Sequence, residues 1–250
     1  MSNDFSFQGY AIVSCGTLAL ELNYLRSSGF LDPDKILYTI PGLHENPREL
    51  KKDLLRQMHR ARQYSSQVIV IYGSRCYIDP IDPAISIDKI IEAEMSQVTR
   101  INAKNCIDML VSAEEKERIS NGKKVYWLSP GWLKYWKQIF KDWDAGLANE
   151  TFPRNDKAIV LDALGFFDKY VQDTPEKLLE FSDWTKIPIE AHQISLDRLK
   201  ELLVSCIIRS LQKEISELQA SIPPHSVPPS MLQRLEELEQ KLNLIQKNGY

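Results

Sequence analysis

Short apolar runs alternate along the chain with segments whose apolar residues recur every three or four positions. Tyr10–Ser14 (YAIVS) reads as a strand stopped at Cys15 and Gly16, and Leu18, Leu22 and Leu25 then share one face of a helix over Leu18–Arg26. Lys35–Ile40 (KILYTI) is a second strand, closed by Pro41 and Gly42. The run Pro47–Tyr64 starts on a proline and carries Leu50, Leu54, Met58 and Ala61 at helical spacing, so it predicts a long helix. Gln67–Tyr72 (QVIVIY) has no polar face, as a central parallel strand buried on both sides should not.

Beyond it, the pattern predicts a helix over Ile85–Met95, a short strand over Gln97–Ile101 and a helix over residues 107–120. Strands follow at Lys124–Leu128 and Ala158–Leu161, separated by an aromatic-rich helix over Leu133–Trp143, with a weaker strand at Ile187–Ala191. So many strand-helix-strand steps predict an α/β fold: a mainly parallel, Rossmann-like sheet with flanking helices.

The last quarter changes character. Val204, Ile208, Leu211, Ile215, Leu218 and Ile222 step by four and three, as do Met231, Leu235, Leu238, Leu242 and Ile245, with the proline-rich break IPPHSVPP between them. The division expected is an α/β domain over residues 1–203 and a helical hairpin over 204–250. Two helices packing on each other or on the main domain is the plainer reading of the hairpin. A coiled-coil homodimer seam would need about three to four sustained heptads.

Composition narrows the function classes. Against 34 acidic residues stand 31 basic ones, a formal charge of −3, which gives no basic footprint for nucleic acid or an anionic membrane. The longest apolar run, Val68–Tyr72, cannot cross a bilayer, and the start MSNDFSFQGY lacks the features of a signal peptide. A cytoplasmic location is expected. The four cysteines, Cys15, Cys76, Cys106 and Cys206, are too scattered for a secreted disulfide framework, and in a reducing compartment they read as thiols or metal ligands.

Three of them fall at corresponding places. Cys15 follows the first strand (IVSCG), Cys76 the third (IYGSRC) and Cys106 the fourth (RINAKNC), while His44 follows the second in IPGLHENP. In an open parallel sheet all four lie in loops at the carboxyl edge, where such folds bind ligands. Three thiolates and an imidazole would satisfy tetrahedral zinc, and three thiolates alone could hold an iron-sulfur cluster. No CxxC pair supports the spacing. The competing readings are buried structural thiols, and a single catalytic thiol activated by His44 or by a helix N-terminus. Cys206 sits at helical spacing among Leu202, Leu203 and Ile207 and reads as core.

Other candidates are weaker. Asp108, two residues past Cys106, caps a helix or lines the crevice, and Trp132 in SPGWLKYW packs in the core or walls the same pocket. His59 lies on the polar side of a helix, and His192 and His225 have no partner nearby in sequence. No Gly-rich phosphate loop, GxSxG elbow or HExxH pattern occurs.

The stretches AIVSCGTLALEL, IPGLHENPREL, IVIYGSRC, RINAKNCIDML and WLSPGWLKYWKQIF resemble the domain of unknown function 1638 family over about residues 10–200. The resemblance implies cytosolic proteins often encoded near corrinoid-dependent methyltransferases, with cysteines matching Cys15, Cys76 and Cys106 and a histidine matching His44. It implies no activity. The expectation at this point is a metal-binding α/β protein, with zinc or alternatively an iron-sulfur cluster, acting as an enzyme or as an accessory with corrinoid or methyltransferase proteins as partners. A non-catalytic interaction protein using its hairpin, or a metal-free thiol-dependent enzyme, are the alternatives.

Overall fold

The computed structural model describes residues 6–223 and 227–247. His225, the middle of the proline-rich break and the first five residues of the N-terminal stretch lie outside them.

The first part of the chain runs β1 (Tyr10–Cys15), α1 (Ala19–Ser27), β2 (Lys35–Thr39), α2 (Pro47–Ala61), β3 (Gln67–Ile71), α3 (Ile87–Glu94) and β4 (Val98–Arg100). These strands form one parallel sheet in the order β2-β1-β3-β4. α4 (Cys106–Leu110), α5 (Ala113–Ser120), β5 (Val125–Leu128), α6 (Pro130–Ile139), α7 (Ala145–Thr151), β6 (Lys157–Asp162), α8 (Phe166–Asp173), α9 (Pro175–Thr185) and β7 (Ile189–Gln193) follow. Their strands make a second parallel sheet, β5-β6-β7. The α/β, mainly parallel class is therefore as expected, with the strands divided between two sheets. α10 (Asp197–Ala220) and α11 (Pro229–Lys247) close the chain as a helical hairpin.

Alternation along the strands assigns the faces. Ala11, Val13, Leu37, Val68 and Val70 turn toward α2 and α3, where Leu50, Leu54, Met58, Ile87 and Ile90 cover them. Ile12, Ile36, Ile69 and Ile71 point the other way, into a cluster shared with α1, α4, α10 and α11 and with Ile159 and Leu161 of β6. One aliphatic core thus lies between the two sheets. The opposite face of β6, Ala158 and Val160, is covered by Trp132, Trp136, Phe140, Phe152 and Phe181.

Local signals explain most boundaries. Pro47 opens α2 behind Asn46, whose side chain accepts from Glu49 N. The single helix expected over 107–120 is two, because Ser112 and Glu115 form a capping box that starts a new helix: Ser112 Oγ accepts from Glu115 N at 3.1 Å and Glu115 Oε2 from Ser112 N at 2.7 Å. α8 and α9 have no counterpart in the periodicity reading; Gly165 in the left-handed region (φ 66°) precedes one and Pro175 begins the other.

The apolar stripes of the hairpin face inward. Leu199, Leu203, Val204, Cys206 and Ile207 of α10 are buried in the central cluster, and Leu238 and Ile245 of α11 join it. Among the described residues no helix is long and apolar enough to cross a membrane.

Candidate functional site

The strand order places a topological switch at β1 and β3: the chain leaves β1 for β2 on one side and returns to β3 on the other, which opens a crevice at the carboxyl ends. Cys15 ends β1. Its Sγ accepts from Thr17 Oγ1 at 3.1 Å, and the Tyr72 hydroxyl, just beyond β3, is close enough to interact with the same sulfur. Tyr72 is itself hydrogen-bonded to the Thr39 hydroxyl at the end of β2. His44 occupies a 3-10 turn after β2, half exposed, with Nε2 3.4 Å from Glu45 Oε1.

The loops after β3 and β4 are laced together. Ser74 N donates to Ala103 O and Arg75 N to Lys104 O, both at 2.9 Å. Gly73 lies so close to the next loop that a Cβ there would overlap Lys104 O and the backbone of Asn105. Arg100 Nη1 ties the pair from below, donating to the carbonyls of Tyr72, Ile101 and Ala103 at 3.0, 2.6 and 3.3 Å, while Nε meets Asp88 Oδ1 at 2.5 Å. Asn105 caps α4, so Cys106 sits at its first position. The cap is thus Asn105. Asp108, two residues into α4, pairs its carboxylate with Lys116 instead.

The second sheet supplies the opposite wall. Ser129 Oγ accepts from Trp132 N at 3.2 Å and donates to Thr17 O at 3.2 Å, which docks the start of α6 on the turn after β1. Gly131 makes this possible, since a Cβ there would overlap Thr17 O. Trp132 packs edge to face on Tyr126, ring centroids 5.7 Å apart.

Two adjoining cavities result. An inner recess of about 20 Å³ is lined by Cys15, Thr17, His44, Tyr72, Cys76 and Cys106. An outer chamber of about 360 Å³ shares His44, Cys76 and Cys106 with it and adds Arg75, Ile107, Lys116, Tyr126, Trp127 and Trp132. The structure therefore brings Cys15, His44, Cys76, Cys106 and Trp132 to one crevice, and leaves Asp108 to support it through Lys116.

The expected metal centre is overturned. Among the described residues no group of three or more His, Cys, Asp or Glu side chains is arranged to hold an ion, so Cys15, Cys76, Cys106 and His44 are cavity walls and not a zinc or iron-sulfur ligand set. Burial, and then the neighbouring Cys15, push the Cys76 thiol up to about 11. Burial followed by Cys76 and Cys15 raises Cys106 well above an ordinary thiol.

Several residues at or beside the site carried no signal in the periodicity reading. Thr17, Thr39, Tyr72 and Arg100 act through contacts between strands, while Tyr126 and Trp127 read only as strand. Glu21 was legible: it sits three residues after Leu18 and four before Leu25, a carboxylate on the apolar face of α1. It is 1% exposed, neither oxygen has a hydrogen-bond partner, and burial pushes its carboxyl up to about 7, with Asp162 adding to the rise.

The remaining histidines lie elsewhere. His59 pairs with Glu94 on the exposed side of α2, 3.2 Å apart. His192 lines a separate cavity of about 590 Å³ with Arg118, Arg198, Glu115 and Glu201. That cavity is larger, but its lining sets Glu115, Asp197 and Glu201 against Arg118 and Arg198 and holds no thiol, Trp, Tyr or Phe, so the crevice between the sheets is the better candidate.

Fold and site together define an α/β protein with a ligand-sized crevice between the carboxyl edge of one parallel sheet and an aromatic wall from another. The chain belongs to the family described as protein of unknown function (DUF1638), which matches residues 38–203. His44, Cys76, Cys106 and Trp132 fall within the match, whereas β1 and Cys15 precede it. No curated protein and no solved structure matches the chain.

Proposed function

We propose that this protein binds a small organic anion with a flat apolar body in the crevice between its two sheets. The observation that carries the reading is the convergence of the first sheet's strand ends and the Tyr126, Trp127 and Trp132 wall on two adjoining cavities. An apolar chamber with few polar groups suits a small ligand, and aromatic walls favour a planar one. Lys116 is neutralised by Asp108, so Arg75 is the rim cation left to meet a ligand's charge.

Thermal melting of the full chain with benzoate and with benzyl alcohol, its uncharged counterpart, tests this. Benzoate raises the melting temperature more than benzyl alcohol does. Arg75→Gln removes the difference between the two, and Trp132→Ala weakens both. No shift with either compound overturns the reading.

A further inference from the structure

Four strands stand at sheet edges, β2 and β4 in the first sheet and β5 and β7 in the second. No side chain of β2, β4 or β5 is exposed. α10 lies along β4, where Arg209 donates to Arg100 O at 2.7 Å and Lys213 to Ser96 O just before the strand, and β5 walls the crevice. β7 differs: of its five residues, Glu190, Ala191, His192 and Gln193 are all exposed. A free row of amides and carbonyls templates another strand, so open edges are ordinarily blunted by lysine, proline or a bulge. The sequence IEAHQ holds neither residue, and its pairing with β6 runs one to one without a bulge.

The ladder with β6 fixes which groups are free. Ala158 N donates to Pro188 O at 2.8 Å and Ile194 N to Asp162 O at 3.1 Å, one at each end of the parallel register. The amides and carbonyls of Glu190 and His192 therefore face β6, and those of Ile189, Ala191 and Gln193 face outward. Ala191 stands in the middle with a side chain too small to obstruct an approaching strand. An antiparallel two-fold centred on Ala191 pairs that residue with its own copy and Ile189 with Gln193, each pair exchanging both bonds. The same register sets Glu190 opposite His192 of the second copy, at about 4.5 Å between Cα atoms. Moving the two-fold by one residue would instead set Glu190 against Glu190 or His192 against His192. Glu190 holds Lys157 through Oε1 at 2.6 Å, which leaves Oε2 to accept from the imidazole.

We propose that β7 is a dimer interface, occupied by β7 of a second copy of this chain, so that the second sheet continues across a two-fold axis. His192 and Gln193 also line the cavity of about 590 Å³, and Ile189 and Glu190 of the second copy come to its mouth. The interface is separate from the crevice, and neither reading depends on the other. One short strand pair buries little area, so the dimer is reversible.

Sedimentation velocity of the full chain over a rising concentration series tests the proposal. The wild type passes from monomer to dimer. Ala191→Pro removes an outward amide, leaves the bonds to β6 in place and weakens association about tenfold or more. His192→Glu sets two carboxylates opposite each other and weakens it likewise, and Glu190→His added to that variant restores it. Circular dichroism shows each variant folded; if Ala191→Pro fails to fold, the other variants decide. Ala191→Cys reads the register: mild oxidation links it to its own copy, whereas Lys52→Cys on α2 gives no such link. A wild type that stays monomeric throughout, dimers that persist in folded Ala191→Pro or His192→Glu, or no disulfide-linked dimer in Ala191→Cys overturns the proposal.

Discussion

The two sheets solve the same burial problem with different side chains. In the first, β1 and β3 are buried on both faces by aliphatic residues, and the loops at their carboxyl ends carry polar and sulfur groups. In the second, β6 is covered on its outer side by interlocked rings: Phe152 meets Tyr126, Phe140, Trp143 and Trp184 at centroid distances of 4.9, 5.3, 5.9 and 5.3 Å. Strand β7 is mostly exposed. Three strands with an open edge bury less on their own than four, and large rings remove more apolar area from water per residue. The comparison teaches a division of labour, in which the aliphatic sheet presents the reactive ends and the aromatic one supplies stiffness and a wall.

The largest expected effect breaks the aromatic side. Phe152→Ala empties a fully buried ring position and costs about 3–5 kcal/mol in urea denaturation. Because Tyr126 rests on Phe152, the same variant also weakens benzoate binding, whereas Phe152→Leu retains most of both.

Glu21 sharpens the comparison from the layer between the sheets. Its carboxyl titrates near 7 in the folded protein and near 4.5 when unfolded, so the native state binds the extra proton between those values and loses stability as pH rises through them. The full penalty above pH 7 is about 3 kcal/mol, at about 1.4 kcal/mol for each tenfold change in proton affinity. Glu21→Gln therefore stabilises the protein by up to that amount at pH 8 and hardly at all at pH 4. Equal effects at both values would show that the carboxyl is not buried neutral.

At the junction of the sheets, Gly131→Ala forces the turn after β1 away from α6, at about 1–3 kcal/mol. Its distinguishing readout is the site: benzoate affinity falls along with stability, because Thr17 and Trp132 share that contact. The smallest effect belongs to the surface of the aromatic side. Lys137→Ala removes an exposed pair with Glu180 and changes stability by no more than about 0.5 kcal/mol.

Most of the elements were legible because their signals are local. Gln67–Ile71 is apolar on both faces, and it became a central strand. Pro47 marks a helix start whose cap, Asn46, meets the amide three residues on, whereas the start at Ser112, with an equally local cap, was read as the middle of one helix. The placement of Cys15, His44, Cys76 and Cys106 at strand ends also followed from local pattern, and they do line one crevice. Their chemistry did not follow. Whether four side chains at one sheet edge converge on an ion depends on rotamers and loop depth, and here, among the described residues, no three of them are arranged to hold one and His44 turns toward Glu45.

The sequence by itself determined the strand and helix alternation, the parallel α/β class, the inward stripe of the C-terminal helices and which residue types reach the carboxyl edge. All of these depend on period, caps and burial within a few residues. Only the tertiary structure decided that the strands divide into two sheets and that Ser129 reaches Thr17 across 112 positions. It also decided that Trp132 closes the crevice and that Cys15, alone among the thiols of the crevice, receives a side-chain hydroxyl hydrogen bond. Contacts between residues so far apart in the chain leave no periodicity behind, because they are fixed by how whole layers stack and not by what stands next to what.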